Sequence, residues 1–134
     1  MIVVDTSAIL AILMSEPERS TLRAAIADAG RILVSAVSTV ELAAVTGRDD
    51  DLFEAVRSFL NEAYVTIEPV DAEQAAIAVE AYRRFGKGRH PAGLNLGDVF
   101  PYALARRRGL PLLFKGGDFS RTDIRSAMGD SPAR

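Results

Sequence analysis

The chain of 134 residues has no cysteine, no tryptophan and a single histidine. Without cysteine there is no disulfide framework, no thiolate metal site and no sulfur nucleophile, which is compatible with a reducing cytoplasm. One histidine, His90, cannot build a histidine-based metal centre, so an ion bound here has to be held by oxygen. Long apolar runs are missing too. The longest near the start, Ala8 to Met14, is far too short to cross a bilayer, and no basic stretch precedes it. The expectation is a soluble, untargeted, cytoplasmic protein with no membrane contact.

What is present is an uneven distribution of charge. The formal net charge is −2, yet residues 1–82 hold 14 of the 18 acids and 5 of the 16 Lys and Arg. The remainder is correspondingly basic, which points to a polyanion-facing side. The length suits one domain over residues 1–134 with a proper core, and the tail from Asp130 to Arg134 is expected to fray.

Hydrophobic pattern divides the chain into alternating short strands and helices. Ile2 to Val4, Ile32 to Val34, Val65 to Ile67 and Leu110 to Phe114 read as strands, with Ile124 to Met128 as a short final edge strand. Helices are expected over Thr6 to Met14, Glu18 to Ala29 and Ala36 to Thr46. Others run from Asp49 to about Ala63, from Asp71 to Phe85 with Ala75, Ala76, Val79 and Tyr82 inward, and from Val99 to Arg108. Strand and helix repeated in this order imply an α/β fold with a parallel sheet sandwiched by helices.

Carboxylates recur where those elements meet. Asp5 ends the first strand and precedes Thr6 and Ser7; it can cap the next helix or stand on the floor of the crevice beyond the strand ends. Glu41 lies among Val37, Val40, Leu42, Ala43, Ala44 and Val45, where a buried carboxylate is costly unless paired or metal-bound. Asp98 stands three residues after Asn95, as in a capping box, and a carboxylate has a second oxygen to spare. Asp118 follows Gly116-Gly117 after the last strand, in what can equally be a tight turn. Four acids arriving at one crevice repel unless a cation neutralises them. With oxygen ligands only, that cation is Mg²⁺ or Mn²⁺, one ion or two, which suits water activation and phosphoryl chemistry. The glycine-rich loop Gly86 to Gly93, with Lys87 and Arg89 and with Arg83 and Arg84 just before it, is the candidate for touching phosphates.

Taken together, Ile2-Val3-Val4-Asp5-Thr6-Ser7-Ala8, the segment Ser35 to Ala44 around Glu41, Asn95-Leu96-Gly97-Asp98 and Leu112 to Phe119 with Thr122-Asp123 resemble a PIN-domain ribonuclease. They are most similar to the VapC toxins of type II toxin–antitoxin (VapBC) systems. The resemblance covers nearly the whole chain. It implies an α/β/α PIN-like domain and a metal-dependent endoribonuclease that hydrolyses RNA phosphodiesters at an acidic quartet. Residue by residue, it implies Asp5 and Asp98 as principal ligands of Mg²⁺ or Mn²⁺, Glu41 and Asp118 as supporting acids, and Thr6 and Ser7 as assisting groups. Many relatives carry an acid earlier in the last turn, where this chain has Gly116 and Gly117, so Asp123 stands as the alternative to Asp118. A homodimer and a VapB-type antitoxin are implied as partners.

Other readings fit less well. A haloacid-dehalogenase-like phosphatase needs a second Asp two positions after the first, and Ser7 stands there. A receiver domain would use Lys115 but needs a phosphoacceptor Asp ending a central strand, where this chain has Pro69 and Val70. The alternative from another class is a non-catalytic PIN-fold module that binds RNA or protein.

Overall fold

Each strand places alternate side chains on opposite faces of one sheet, and the core divides accordingly. The computed structural model describes residues 1–129. The expected fraying of 130–134 lies outside those residues. The order is β1 (Ile2–Val4), α1 (Thr6–Leu13), α2 (Arg19–Ala29), β2 (Ile32–Ser35), α3 (Ala36–Thr46) and α4 (Asp50–Leu60). It continues with β3 (Val65–Glu68), α5 (Ala72–Phe85), α6 (Val99–Arg108), β4 (Leu112–Leu113) and a 3₁₀ turn at Phe119–Arg121.

The four strands are parallel, in the order β3-β2-β1-β4. Ile2, Val4, Ile32, Val34 and Leu113 pack on one face with Ile9 and Ile12 of α1, Leu22 and Ile26 of α2, Leu42 of α3, and Val56 and Phe59 of α4. Val3, Leu33 and Leu112 turn to the other face, against Ala78, Ala81 and Phe85 of α5 and Val99, Tyr102 and Leu104 of α6. Helices therefore cover both faces, as parallel strands require. The chain leaves β1 toward β2 on one side and comes back to pair β4 on the other. That reversal of direction makes the carboxyl end of β1 the switch point, where such sheets form their crevice.

Caps set the helix starts. Asp5, Ser35, Asp49 and Asp71 each accept a hydrogen bond from a backbone N–H in the first turn of the helix that follows. Asp50 and Asp51 lie in the first turn of α4, where the helix dipole favours acids.

Four details differ from expectation. The buried face of α5 carries Gln74, Ala78, Ala81 and Phe85, whereas Ala75, Ala76, Val79 and Tyr82 are exposed. Alanines lie on several sides of this helix and leave the phase of the pattern open, and the Gln74 amide earns its inward place by donating to the Pro69 carbonyl at 3.2 Å. Residues Ile124 to Met128 do not form a strand. One bridge pairs Leu112 with Ser126, fixed by Leu112 N to Arg125 O and Ala127 N to Leu112 O. The strand expected over Leu110 to Phe114 is limited to Leu112–Leu113. Finally, α3 is apolar in sequence almost all round yet buried on one side only, with Val40 and Val45 projecting into solvent at 68% and 62% exposure.

Gly86 closes α5 and bridges to Leu94. A Cβ there would lie 2.2 Å from the Tyr82 carbonyl oxygen, part of a helix backbone that cannot turn aside. Gly86→Ala is expected to cost about 1–3 kcal/mol of stability, the usual range for forced overpacking, as read by urea unfolding.

Candidate functional site

Asp5 unites the two roles that its position suggested. Its backbone is extended and its N–H donates to Leu113 O at 2.9 Å, continuing the sheet by one residue. The side chain then turns over the start of α1, where Oδ2 accepts from Ser7 N at 3.0 Å. Only 2% of the residue is exposed, and Oδ1 is buried with no hydrogen-bond partner. Burial pushes its carboxyl above the usual range; the bond from Ser7 opposes this, and the charge of Glu41 adds to it.

Glu41 reaches the same place from the second turn of α3. The Thr6 hydroxyl donates to its Oε1 at 3.1 Å, tying α3 to the start of α1. The carboxylate is half-buried rather than enclosed, since the outer side of α3 is open to solvent.

Asp98 arrives on the turn that starts α6. Its Oδ2 accepts from Asn95 N at 3.0 Å, while the Asn95 Oδ1 accepts from Asp98 N at 3.1 Å, a reciprocal box. Its carboxyl is pushed up to about 6, chiefly by desolvation. The Asn95 N–H opposes the rise, and the charges of Asp5, Glu41 and Asp118 reinforce it. Asp98 therefore feels all three other acids of the expected quartet.

Asp118 is the outermost member, on an exposed turn at the head of the 3₁₀ segment, after Gly116 at φ 97°. Among the described residues, no three acidic or histidine side chains stand close enough together to hold an ion as they are. Neither Asp118 nor the trio of Asp5, Glu41 and Asp98 is therefore drawn into a closed cluster. The donor set nevertheless suits a hard cation. The orphaned Oδ1 of Asp5 and the mutual repulsion felt by Asp98 are two costs that a bound Mg²⁺ or Mn²⁺ would remove.

Asp123, the alternative fourth acid, is engaged elsewhere. It accepts from the Tyr102 hydroxyl, pairs with Arg84 at 3.2 Å and lies 3.7 Å from Arg106. Desolvation together with this bond pushes the Tyr102 hydroxyl up to about 12. The arrangement fastens the segment after the 3₁₀ turn to α5 and α6.

The basic loop is joined to the acidic turn. Gly86 bridges to Leu94, Lys87 N donates to Leu94 O, and Arg121 Nη1 reaches Pro91 O at 3.3 Å. Arg83, Lys87 and Arg89 are exposed and make no ion pair among the described residues. Arg84 differs, being paired with Asp123 and lying 4.7 Å over the Phe85 ring. His90 is structural: its Nδ1 accepts from Ala92 N at 3.0 Å and its ring meets Phe85 edge-on.

Two participants were not singled out as parts of this site from sequence. Lys115 N donates to the Ser7 hydroxyl at 3.0 Å, and its ammonium is taken by Glu16 and Glu18, so Ser7 serves the turn after β4. Gly97 lies against the Glu41 carboxylate, a contact between residues too far apart in sequence for any local pattern to reveal.

The family model described as "PIN domain" matches residues 2–125. The chain is 45% identical over 128 residues to "Ribonuclease VapC42" of Mycobacterium tuberculosis, covering 93% of this chain and 98% of that protein. It is 48% identical over 130 residues to "Ribonuclease VapC" of Mycolicibacterium smegmatis, covering 91% and 96%. Among solved structures, VapC20 of Mycobacterium tuberculosis, described as a sarcin-ricin loop cleaving toxin, aligns with a TM-score of 0.76 at 20% identity over 92% of this chain and 96% of that one. A toxin–antitoxin complex from Klebsiella pneumoniae aligns at 0.70 with 16% identity, over 92% and 93%.

Proposed function

The chain belongs to the PIN-domain family and, within it, to the VapC toxin ribonucleases; from that premise we propose that it is a divalent-metal-dependent endoribonuclease, a single domain over residues 1–134. Asp5 and Asp98 would hold Mg²⁺ or Mn²⁺, with Glu41 and Asp118 supporting, and Thr6 orienting Glu41 through its hydroxyl. The observation that carries this reading is the buried, unpartnered Oδ1 of Asp5 beside three further acids whose charges meet at Asp98. When bound, the ion supplies an activated water and stabilises the charge of the phosphoryl transition state. The chain's own part is to hold the carboxylates aimed. Ser7 N fixes Asp5, Thr6 fixes Glu41, and Asn95 fixes Asp98.

RNA is the proposed substrate, with its backbone along Arg83, Lys87 and Arg89; Arg84 adds its positive field while paired to Asp123. Replacing Arg83 and Arg89 with Ala is expected to weaken RNA binding and to make the plot of log affinity against log salt shallower by about two, one for each lost phosphate contact. An unchanged slope in filter-binding titrations would remove the loop from the interface. A VapB-type antitoxin and a second copy of the chain are the proposed protein partners, and the cytoplasm the proposed compartment. Among the described residues no helix is long and apolar enough to cross a membrane.

Cleavage of labelled RNA by the purified protein, with Mg²⁺ or Mn²⁺ against EDTA, tests the proposal. Asp5→Ala, prepared identically, controls for contaminating ribonuclease. Cutting that needs the ion and vanishes in the variant supports it. Equal behaviour of the two proteins, with no ion bound in calorimetry, would leave a binding module.

A further inference from the structure

Gly97 does not owe its identity to the backbone. Its φ lies outside the left-handed region, so the turn would accept an ordinary residue on conformational grounds. What excludes a side chain is Glu41. A Cβ on residue 97 would fall 2.0 Å from Oε2, 2.8 Å from Cδ and 3.2 Å from Oε1. All three atoms belong to one carboxylate, on the far end of a flexible side chain.

That carboxylate has two neighbours that define where it sits. The Thr6 hydroxyl holds Oε1 at 3.1 Å, and the bare Cα of Gly97 closes on Oε2. Residue 97 directly precedes Asp98, and the Asn95–Asp98 box fixes the turn that carries both. The approach of Gly97 thus sets how near the Glu41 carboxylate comes to the Asp98 turn. We propose that Gly97 is a positioning residue for the acidic site: its missing side chain is the space that Glu41 occupies, and any Cβ there expels the carboxylate. The inference rests on Glu41 and Asp98 serving one cation site.

Because the displaced group is mobile, the consequence separates from stability. Gly97→Ala is expected to melt close to wild type, whereas Gly86→Ala meets helix backbone and does not. In a crystal structure of Gly97→Ala, the Glu41 carboxylate should have left the Thr6 hydroxyl. Calorimetric titration with Mn²⁺ alone should show about a tenfold loss of affinity, the usual scale for disturbing a supporting group. Shortening the acid by one methylene gives the second readout. In a Glu41→Asp background, Gly97→Ala should cost little further affinity, because the withdrawn carboxylate no longer occupies the space.

A Glu41 carboxylate that stays in place in the crystal, an unchanged Mn²⁺ affinity, or losses that simply add in the double variant would overturn the inference. Should Gly97→Ala fold poorly, the double variant decides. Recovery of its melting temperature supports the contact, and persistent unfolding overturns it. If wild type binds no Mn²⁺, the cation reading falls while the crystallographic position of Glu41 still decides the role of Gly97.

Discussion

Asp98→Asn is expected to lower metal-dependent RNA cleavage on the order of 10²–10³-fold, the scale that follows loss of one preorganised charge-stabilising group, and to stabilise the metal-free protein at neutral pH. The amide keeps an oxygen for the Asn95 N–H, so the box at the start of α6 survives. What disappears is the charge. In the folded protein Asp98 titrates at about 6 instead of 3.8, so between those values the folded state holds a proton that the unfolded chain has released. Stability therefore falls as pH rises through that window, and the penalty is fully present above it. Asp5, also raised, acts in the same direction. Thermal melts in EDTA at about pH 4 and about pH 7.5 should show variant and wild type close together at the lower pH and the variant ahead at the higher. A variant that melts lower at both values would make Asp98 a structural cap and nothing more.

Leu104→Ala should be the most destabilising of these changes, by about 2–5 kcal/mol, the range for a large-to-small replacement in a core that cannot collapse. Leu104 is wholly buried in the layer formed by α5, α6, Val3, Leu33 and Leu112, between a helix and a sheet that are both rigid. Urea unfolding would show a lower midpoint at nearly constant slope. Since α6 carries Asp98 into the site, activity should fall with the folded fraction and return on addition of a stabilising osmolyte. Loss that osmolyte does not restore would mean that the helix has shifted with the protein still folded.

The positions of the four strands and four of the helix starts were readable because each rests on local rules: a short apolar run, a capping Asp or Ser, a glycine stop. Asp5 and Asp98 could be singled out from local position, at a strand end and at a helix start, and Glu41 as an acid in an apolar segment. Less was legible where the deciding partner is remote. The phase of α5 depended on Gln74 finding the Pro69 carbonyl, and its alanines gave no contrast. The stretch after the 3₁₀ turn contains residues suited to a strand, yet pairing is limited to one bridge, in which Leu112 bonds to Arg125 and Ala127. In sequence Asp118 stands as the fourth acid with Asp123 as the alternative, and no local rule decides between them. Three-dimensional placement does separate them: one bears on Asp98, and the other is held by Tyr102, Arg84 and Arg106. Gly97 carries no local signal, since the group it accommodates is 56 positions earlier in the chain.

The pairing of Val3 with Leu112 also orders events in time. Strand β1 precedes every other element described, and its second neighbour, β4, follows all six helices. Contacts so distant along the chain form late and slowly. Asp98 and Asp118 arrive with that same closing stretch. A nascent chain halted before it would carry Asp5 and Glu41 but neither of their later companions, and an open edge beside β1. The segments that carry the four acids therefore come together only when the sheet closes.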